Sequence, residues 1–238
     1  MTIRAQVSKL LHNPGEVLRN RWRAAWERVR FRRGHDYKTV DYWTYRHTKY
    51  GFDLRGVGDK TKSHADNVAL LGQGKEVFLD VCRRAGVTFD KARVLDIGCG
   101  TGYFAGVLSD EGVKEYVGVD IVDTLFTGLA QRFPSYRFKV VDVSTQRLSG
   151  TYDLILAMDV LQHIVDEAKF SFALDNIKSV RASTGTIILS THIGTPKREG
   201  FYVVRRPLEV FERSFPGFKM SEPVKYADSF VFTLRPDV

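Results

Sequence analysis

A glycine-rich turn between an apolar strand and a helical segment constrains this chain more than any other stretch. Residues 94–104 read VLDIGCGTGYF, with glycines at positions 98, 100 and 102. Glycine has no β-carbon, so a turn built on it adopts unusual backbone angles and lets a ligand lie across it. The segment therefore predicts a small ligand in contact with the backbone at the end of a buried strand.

The spacing of these glycines argues against two common nucleotide sites. The dinucleotide fingerprint Gly-x-Gly-x-x-Gly would need a glycine where Tyr103 stands. A phosphate-binding loop would need Gly-Lys-Ser/Thr after the turn, and that triplet does not follow. The pattern is instead Asp-x-Gly-x-Gly-x-Gly, beginning at Asp96.

Apolar strands alternate with helical patterns after residue 66, which predicts an α/β fold with a mostly parallel sheet. A helical pattern at 66–86 ends at Gly86. The last two apolar runs, 218–225 and 228–234, are too close for a parallel crossover, so they should form an antiparallel hairpin. The other expected strands lie near 93–97, 115–119, 136–141, 152–158 and 185–191, and the other expected helices near 102–110, 123–133, 166–181 and 207–214.

On its motif VLDIGCGTGYF and the acids that follow, the chain resembles the class I S-adenosylmethionine-dependent methyltransferases over roughly residues 66–235, in particular small-molecule or sugar O-methyltransferases. The resemblance implies a Rossmann-like, seven-stranded, mostly parallel, doubly wound sheet with a C-terminal antiparallel hairpin and an N-terminal helical extension. It also implies S-adenosylmethionine as the cofactor. The expected organisation is a basic helical arm (1–35), an aromatic-polar lid or substrate segment (36–65) and a methyltransferase domain (66–238).

The same resemblance assigns the cofactor site to the ends of successive strands. Asp120 closes EYVGVD and corresponds to the acid that accepts hydrogen bonds from both ribose hydroxyls, a role that suits the two oxygens of a carboxylate. Asp142 closes the next strand, where the family binds the adenine amino group. Taken alone, either acid could instead cap the following helix. The full expected cofactor set is Asp96, Gly98, Cys99, Gly100, Gly102, Asp120, Ile121, Asp142, Val143 and Met158.

Two histidines are candidates for the catalytic base. The strand YDLILAMDV runs into Leu161-Gln162-His163-Ile164, and active sites of open α/β sheets lie at the carboxyl ends of the strands. With an ordinary pKa near 6.5, His163 would be largely neutral and able to take a proton from an alcohol, although it could also only shape the pocket. His192, after the fifth strand, is the second candidate, with a hydrogen-bonded wall residue as its alternative.

The acceptor is expected to be a hydroxyl of a sugar, a polysaccharide unit or another polar metabolite, because a hydroxyl needs a base and a neutral amine does not. The aromatic-polar stretch 37–59 and the basic cluster 197–206 suit a hydroxylated ring, although the aromatics could simply brace the lid and the cluster could be a solvated loop. The expected substrate residues are Tyr42, Trp43, Arg46, Asp159, Gln162, Tyr202 and Arg205.

Other functions stay open. A quinone or lipid methyltransferase would dock on a membrane through the basic helix, and a non-catalytic protein would bind cofactor without transferring its methyl group. An RNA methyltransferase is disfavoured, since Asp159-Val160-Leu161-Gln162 stands where an Asn/Asp-Pro-Pro-Tyr/Phe motif would be. Magnesium is also left open, with Asp159 among its ligands, but no His, Cys and carboxylate cluster has strong metal spacing.

Positive charge is concentrated at the N-terminus. Residues 1–35 hold nine Lys and Arg against two Glu, a charge of +7, which leaves +1 of the total +8 for the other 203 residues. A nearly neutral body disfavours a nucleic-acid surface. Residues 16–33 form an amphipathic helical pattern that could lie on a membrane or pack on protein, including a homodimer mate; protein packing is favoured.

The expected location is the cytoplasm, with peripheral contact at the inner membrane surface left open through residues 1–35. The two cysteines, Cys82 and Cys99, are expected to be reduced, because Cys99 lies in the glycine turn where a disulfide would block a ligand. No apolar run approaches the roughly 20 residues that span a bilayer, and the N-terminus lacks the uncharged segment of a signal peptide.

Overall fold

A computed structural model describes residues 14–237. Residues 1–13, with Arg4 and Lys9 of the expected basic arm, lie outside the described residues. The helices are α1 (Pro14–Phe31), α2 (Thr39–Tyr50), α3 (His64–Arg84), α4 (Tyr103–Asp110), α5 (Phe126–Arg132), α6 (Glu167–Ser179) and α7 (Leu208–Ser214). Short 3-10 turns occupy Leu54–Gly56, Phe89–Lys91 and Leu161–His163. Within the described part, no helix combines the length and apolarity needed to cross a membrane.

The strands form one large sheet and two small hairpins. They are β1 (Arg32–Arg33), β2 (Asp36–Tyr37), β3 (Arg93–Ile97), β4 (Glu115–Asp120), β5 (Arg137–Val140), β6 (Tyr152–Met158), β7 (Arg181–Thr191), β8 (Lys197–Glu199), β9 (Val203–Arg205), β10 (Phe218–Met220), β11 (Val224–Tyr226) and β12 (Ser229–Pro236). The large sheet has the order β5-β4-β3-β6-β7-β12-β10, with β11 also paired to β12. Strands β3 to β7 are parallel and β12 runs antiparallel to β7, which confirms the expected doubly wound sheet with a C-terminal hairpin.

The central strands are mostly apolar because helices cover both faces of the sheet. In β6, Leu154 and Leu156 face a core that includes Phe78 of α3 and Leu108 of α4. Residues of opposite parity, such as Ile155, face a second core under α6 and α7. This alternation follows from the two-residue period of a strand. The sheet is therefore rigid on both sides, and its strand ends are held in fixed positions.

The outer strand of the C-terminal hairpin is interrupted. The run expected at 218–225 splits into β10 and β11 around Pro223, which has no N–H to donate to the ladder. Ser221 bridges the gap: its N–H donates to the Thr233 carbonyl and its hydroxyl accepts from the Thr233 N–H, both at 3.0 Å. The strand keeps its place at the sheet edge although its ladder is broken.

Two elements next to the site differ from the expectation. The segment 36–65, expected to be short helical and loop pieces, contains the twelve-residue helix α2. The basic region 197–206 forms the hairpin β8–β9, with Arg198 opposite Val204. Both elements meet in an aromatic cluster that includes Phe31, Tyr42 and Phe201. Contacts between residues that are distant in sequence hold both elements in place, and such contacts produce no local hydrophobic periodicity.

Candidate functional site

A cleft lies at the carboxyl ends of the parallel strands, next to β3. The strand that follows β3 in sequence, β4, lies on one side of it in the sheet, and β6 lies on the other side. Such a switch point is the usual binding site of an open α/β sheet. Loops after four neighbouring strands line the cleft, and α2 with the segment before it covers the opening. Of the predicted residues, the cleft is lined by Asp96, Gly98, Cys99, Gly100, Asp120, Ile121, Asp142, Val143, Met158, Trp43, Asp159 and His163.

The glycine turn is held tightly between protein groups. Gly98 and Gly100 have φ angles of 72° and 49°, in the left-handed region that side chains disfavour. A β-carbon at Gly98 would lie 2.3 Å from Val160, and one at Gly100 would lie 2.8 Å from Val57. The glycines are thus required by packing as well as by ligand access. Gly102 does not line the cleft. Its missing β-carbon leaves room for Leu129, which a β-carbon there would meet at 2.4 Å.

Asp120 ties the turn to the end of β4. One carboxylate oxygen accepts a hydrogen bond from the Gly100 N–H at 3.0 Å, and the other accepts from the Val122 N–H at 3.3 Å. The residue is only 8% exposed. Burial raises the pKa of Asp120 to about 6, although the backbone donors oppose that shift. The carboxylate is therefore positioned at the cleft but incompletely solvated, and further donors would stabilise its charge.

A second buried acid lies behind the turn. Asp96 is 2% exposed, and its carboxylate accepts a hydrogen bond from the Tyr116 hydroxyl at 2.7 Å. Burial raises the pKa of Asp96 to about 7, and the charge of Asp120 adds to the effect. Two acids that resist ionisation favour a ligand that brings positive charge or hydrogen-bond donors into the cleft.

Asp142 caps a turn and also lies at the cleft. Its carboxylate accepts hydrogen bonds from the Ser144 N–H at 2.9 Å and the Ser144 hydroxyl at 2.6 Å, so it caps the turn after β5. Asp142 and Val143 also line the cleft. The cap fixes the direction of the carboxylate, which is compatible with a ligand contact at its other edge.

Sequence analysis missed Thr101. Its hydroxyl is buried in the glycine turn and, among the described residues, has no hydrogen-bond partner. Thr101 lines the cleft, so a bound ligand is the natural partner for this group. The sequence signal for Thr101 was its place as a polar residue between Gly100 and Gly102, which both have positive φ.

His163 is the base candidate that the structure places in the cleft. Its Nδ1 lies 2.9 Å from the Tyr202 carbonyl oxygen, which can only accept, so Nδ1 carries the proton and Nε2 the lone pair. The imidazole stacks on the Tyr202 ring at 5.5 Å and meets Trp43 edge-on at 5.0 Å. Burial, reinforced by the charge of Arg46, lowers the pKa of His163 to about 4. The ring is therefore neutral at physiological pH, more firmly than an ordinary histidine.

Asp159 lines the cleft, but its carboxylate is committed to the protein. It accepts hydrogen bonds from the hydroxyls of Ser190 at 2.9 Å, Ser229 at 2.5 Å and Tyr226. The residue has φ 57°, unusual for a residue with a β-carbon. We therefore interpret Asp159 as the anchor of the loop that carries His163. Among the described residues, no group of three or more His, Cys, Asp or Glu is placed to hold a metal ion.

Several predicted substrate residues lie behind the cleft and do not line it. Arg46 is buried, and its guanidinium donates to the carbonyls of Arg55 at 2.6 Å and Gly58 at 2.8 Å. Arg205 pairs with Glu199 at 3.1 Å within the hairpin. Polar groups committed in this way are unavailable to an acceptor. The cleft lining also does not include Tyr42, Gln162, Tyr202 or the second base candidate, His192.

Other lining residues were not singled out from the sequence. His47 is 3% exposed, and burial with the neighbouring charge of Arg46 lowers its pKa to about 4. Asp36 and Lys169 form an ion pair at 2.5 Å. Asp36 and Lys169 are distant in sequence, and His47 lies in a polar stretch, so no local pattern marks these residues. They give the acceptor side of the cleft a neutral imidazole and a paired charge.

The sequence matches the model of a family described as a methyltransferase domain over residues 71–206. A curated relative, 235L of Invertebrate iridescent virus 6, is 29% identical over 91 residues, and its own name as a methyltransferase is provisional. This match covers 36% of the chain and 33% of the relative, so the chain spans about a third of the relative's length.

Solved structures with a similar fold include three methyltransferases. The magnesium protoporphyrin IX methyltransferase of Synechocystis PCC 6803 has a TM-score of 0.62 at 18% identity, covering 83% of this chain and 94% of that one. The 1,6-didemethyltoxoflavin-N1-methyltransferase of Burkholderia thailandensis has a TM-score of 0.53 at 19% identity, covering 72% and 86%. The N-methyltransferase NodS of Bradyrhizobium japonicum WM9 has a TM-score of 0.51 at 19% identity, covering 61% and 78%. The likeness at these identities is one of fold.

The buried acid Asp96 should make the ligand-free protein less stable as pH rises. Its folded-state pKa, about 7, exceeds the unfolded value near 3.9, so its contribution is full below pH 3.9 and is lost as pH rises through 7. Asp96→Asn removes this loss. Between pH 5 and 8, the unfolding free energy of the variant should improve relative to wild type by about 2 kcal/mol, measured by urea titration.

Asp153→Asn is the matched control. Arg93 lowers the pKa of Asp153, so this acid is ionised in both states across that pH range. Its effect on the unfolding free energy should not change between pH 5 and 8. Parallel pH dependences for wild type and Asp96→Asn would contradict a raised pKa at Asp96.

Proposed function

Because this chain belongs to the family of methyltransferase domains, we propose that it transfers a methyl group from S-adenosylmethionine to a hydroxyl of a polar small molecule, such as a sugar or a polysaccharide unit. The observation that carries the proposal is the convergence of Asp120, Asp142 and the glycine turn with His163 in one cleft. This arrangement offers groups for a sulfonium nucleoside at one end and a proton acceptor at the other.

The residues present fit S-adenosylmethionine part by part. Asp120 offers carboxylate oxygens to a ribose diol, and its raised pKa indicates that its backbone donors do not fully offset its burial in the free protein. Asp142 and Val143 would hold the adenine. Thr101 offers an unpartnered buried hydroxyl to the polar methionine end, and a bound sulfonium would favour the ionised form of the buried Asp96. Similar structures from Synechocystis and Bradyrhizobium were solved with this cofactor or its demethylated product.

The acceptor side suits a hydroxylated molecule. Trp43 presents an aromatic surface for C–H groups, while His47, Thr39 and the Asp36–Lys169 pair offer polar contacts. The indole N–H of Trp43 donates to the Tyr37 hydroxyl at 3.2 Å, and that hydroxyl donates to the His163 carbonyl at 3.1 Å. This chain of bonds sets the aromatic wall and the base in a fixed relation.

S-Adenosylmethionine, when bound, supplies a methyl group that its sulfonium has already activated. His163 Nε2 would accept the hydroxyl proton as the acceptor oxygen takes the methyl group, so that a C–O bond replaces the C–S bond and S-adenosylhomocysteine leaves as the thioether. A base whose pKa is near 4 is weak against a free alcohol, but the proton becomes strongly acidic once the oxygen has gained the methyl group. Trp43 and the Tyr202 carbonyl hold the imidazole for in-line attack, so orientation carries much of the catalysis.

An amine acceptor is the second candidate. The low pKa of His163 favours it, because a neutral amine attacks without a base and so does not depend on a strong one. Two of the similar structures are N-methyltransferases by name. The two candidates differ in the acceptor atom that receives the methyl group, oxygen or nitrogen.

We also propose that the reaction takes place in the cytoplasm, where the free thiols of Cys82 and Cys99 stay reduced.

Asp120→Asn should weaken S-adenosylmethionine binding. The substitution leaves one acceptor oxygen and removes the negative charge, so the ribose hydroxyls lose a partner at a cost of about 1–3 kcal/mol. Calorimetry with the cofactor alone measures this loss without any acceptor. Asp123→Asn, on the same loop but exposed, should bind as wild type. An unchanged affinity of Asp120→Asn would refute the ribose assignment.

His163→Ala should keep cofactor affinity and lower turnover by about 10²–10⁴. The assay follows label from radiolabelled S-adenosylmethionine into fractions of cell extract, and the labelled product should be a methyl ether. Tyr202→Phe is the control, since it keeps the stacked ring and the backbone carbonyl that bind His163. Near-normal turnover of His163→Ala, or label on nitrogen, would overturn the oxygen mechanism.

The pH profile tests the depressed pKa of His163. A base is active above its pKa, so turnover at saturating cofactor should stay level from pH 8 down to about 5 and fall as pH drops through about 4. A decline that already begins between pH 7 and 6 would indicate an ordinary histidine. The measurement should be made on the same labelled product, with circular dichroism at each pH to verify the fold.

A further inference from the structure

Helix α1 is fastened to the rest of the molecule along one face. Glu27 and Phe31 are each 1% exposed. Glu27 forms a buried ion pair with Lys60, and the Phe31 ring meets Tyr42 of α2 at 5.4 Å. Arg23 also turns inward and donates to the Lys60 carbonyl at 3.3 Å. The helix is therefore held in a fixed orientation, and its opposite face is fixed with it.

That opposite face is apolar and exposed. Trp22 is 75% exposed, Val29 85%, Leu18 56% and Trp26 45%. At 100° per residue these four side chains fall within a stripe about 80° wide along the helix, centred about 145° from Glu27. Trp26 lies at the edge of this stripe and also contacts the rings of Phe31 and Tyr45. The other large exposed apolar residues of the described chain, Val40, Phe52, Val68 and Val140, are scattered over separate elements. Only α1 gathers them into a continuous surface.

Arginines border the stripe on both sides. The same helical geometry places Arg19 and Arg30 along one edge and Arg21 and Arg28 along the other. Among the residues whose side chains the structure describes, no acidic side chain forms an ion pair with any of these four arginines. Their charge is therefore available to an external partner. Arg30 also lies over the Trp26 ring at 5.0 Å, which keeps both groups at the surface.

We propose that this outer face of α1, the stripe of Leu18, Trp22, Trp26 and Val29 with its arginine borders, docks on a lipid bilayer that carries anionic headgroups. Tryptophan is favoured at the membrane–water interface, and an apolar stripe with cationic flanks is the pattern of a helix that lies in that interface. Arginines at the edges would reach the phosphates while the stripe enters the acyl boundary.

The charge pattern argues against two other occupants. In a symmetric dimer, a second copy would bring the same arginine borders together, and like charges oppose such a contact. A nucleic acid would bind through the arginines but would leave the apolar stripe in water. An anionic bilayer satisfies both parts of the surface at once. Through Phe31 and Tyr42, the docked helix would hold the methyl-transfer cleft at a constant distance from the membrane.

The test is co-sedimentation of the full chain with vesicles of phosphatidylcholine alone or containing about one third phosphatidylglycerol. Wild type should bind the anionic vesicles and not the neutral ones, with binding that weakens as salt rises. Trp22→Glu should lower the partition coefficient at least about tenfold, because it removes an interfacial ring and adds a charge that the lipid repels. Arg21→Gln and Arg28→Gln should each lower it about fivefold.

Matched substitutions elsewhere separate the surface from a general charge effect. Val68→Glu and Arg137→Gln change exposed residues on α3 and β5 and should leave vesicle binding unchanged. All variants should bind S-adenosylmethionine as wild type does, which verifies the fold. Failure of cofactor binding in every form of the protein would count against the proposed activity and not against the docking surface.

Three outcomes would overturn the proposal. The first is equal binding of wild type and Trp22→Glu to anionic vesicles, or binding by neither. The second is a concentration-dependent dimer in sedimentation equilibrium that Trp22→Glu abolishes, which would assign the face to a second copy. The third is binding of labelled RNA that depends on Arg21 and Arg28 and competes with the vesicles.

Discussion

The close contact between the glycine turn and the strand ends beside it sets the geometry of the whole site. Gly98 leaves room for Val160, and the Gly100 N–H reaches the Asp120 carboxylate at 3.0 Å. A side chain at Gly98 would push away the loop after β6, which carries His163. The cofactor end and the acceptor end of the cleft are therefore coupled through one backbone turn. Packing density, and not only ligand access, explains why these positions need glycine.

The same coupling extends to the N-terminal extension. Its aromatic cluster joins α1, α2 and the hairpin β8–β9, and Tyr202 from that hairpin supplies both the stacked ring and the carbonyl that bind His163. The His163 ring is thus oriented by elements outside the central sheet. Docking of α1, as proposed above, would join the location of the protein to the arrangement of its cleft, because the same extension orients His163.

The fold was largely predictable because its strands and helices carry strong local patterns. The expected strand at 152–158 and the helix ending near Gly86 match β6 and α3 closely. The cofactor end was predictable for a related reason, since parallel strands end at one edge and bring their terminal acids together. The acceptor end was not. Arg46 and Asp159 looked available in sequence, but carbonyls and hydroxyls from distant segments engage their charged groups. Such pairings depend on long-range packing that no short pattern encodes.

Burial acts in opposite directions on the two ends of the cleft. It raises the pKa of Asp96 to about 7 and lowers the pKa of His163 and of His47 to about 4, since desolvation disfavours every charged form. A cation near the acids would stabilise their charge and be stabilised by it, as a sulfonium requires. Near the neutral histidines and Arg46, a cationic acceptor would find no such compensation. The electrostatics thus favour a positively charged donor beside a neutral acceptor, which is the pairing that methyl transfer to a hydroxyl or a neutral amine requires.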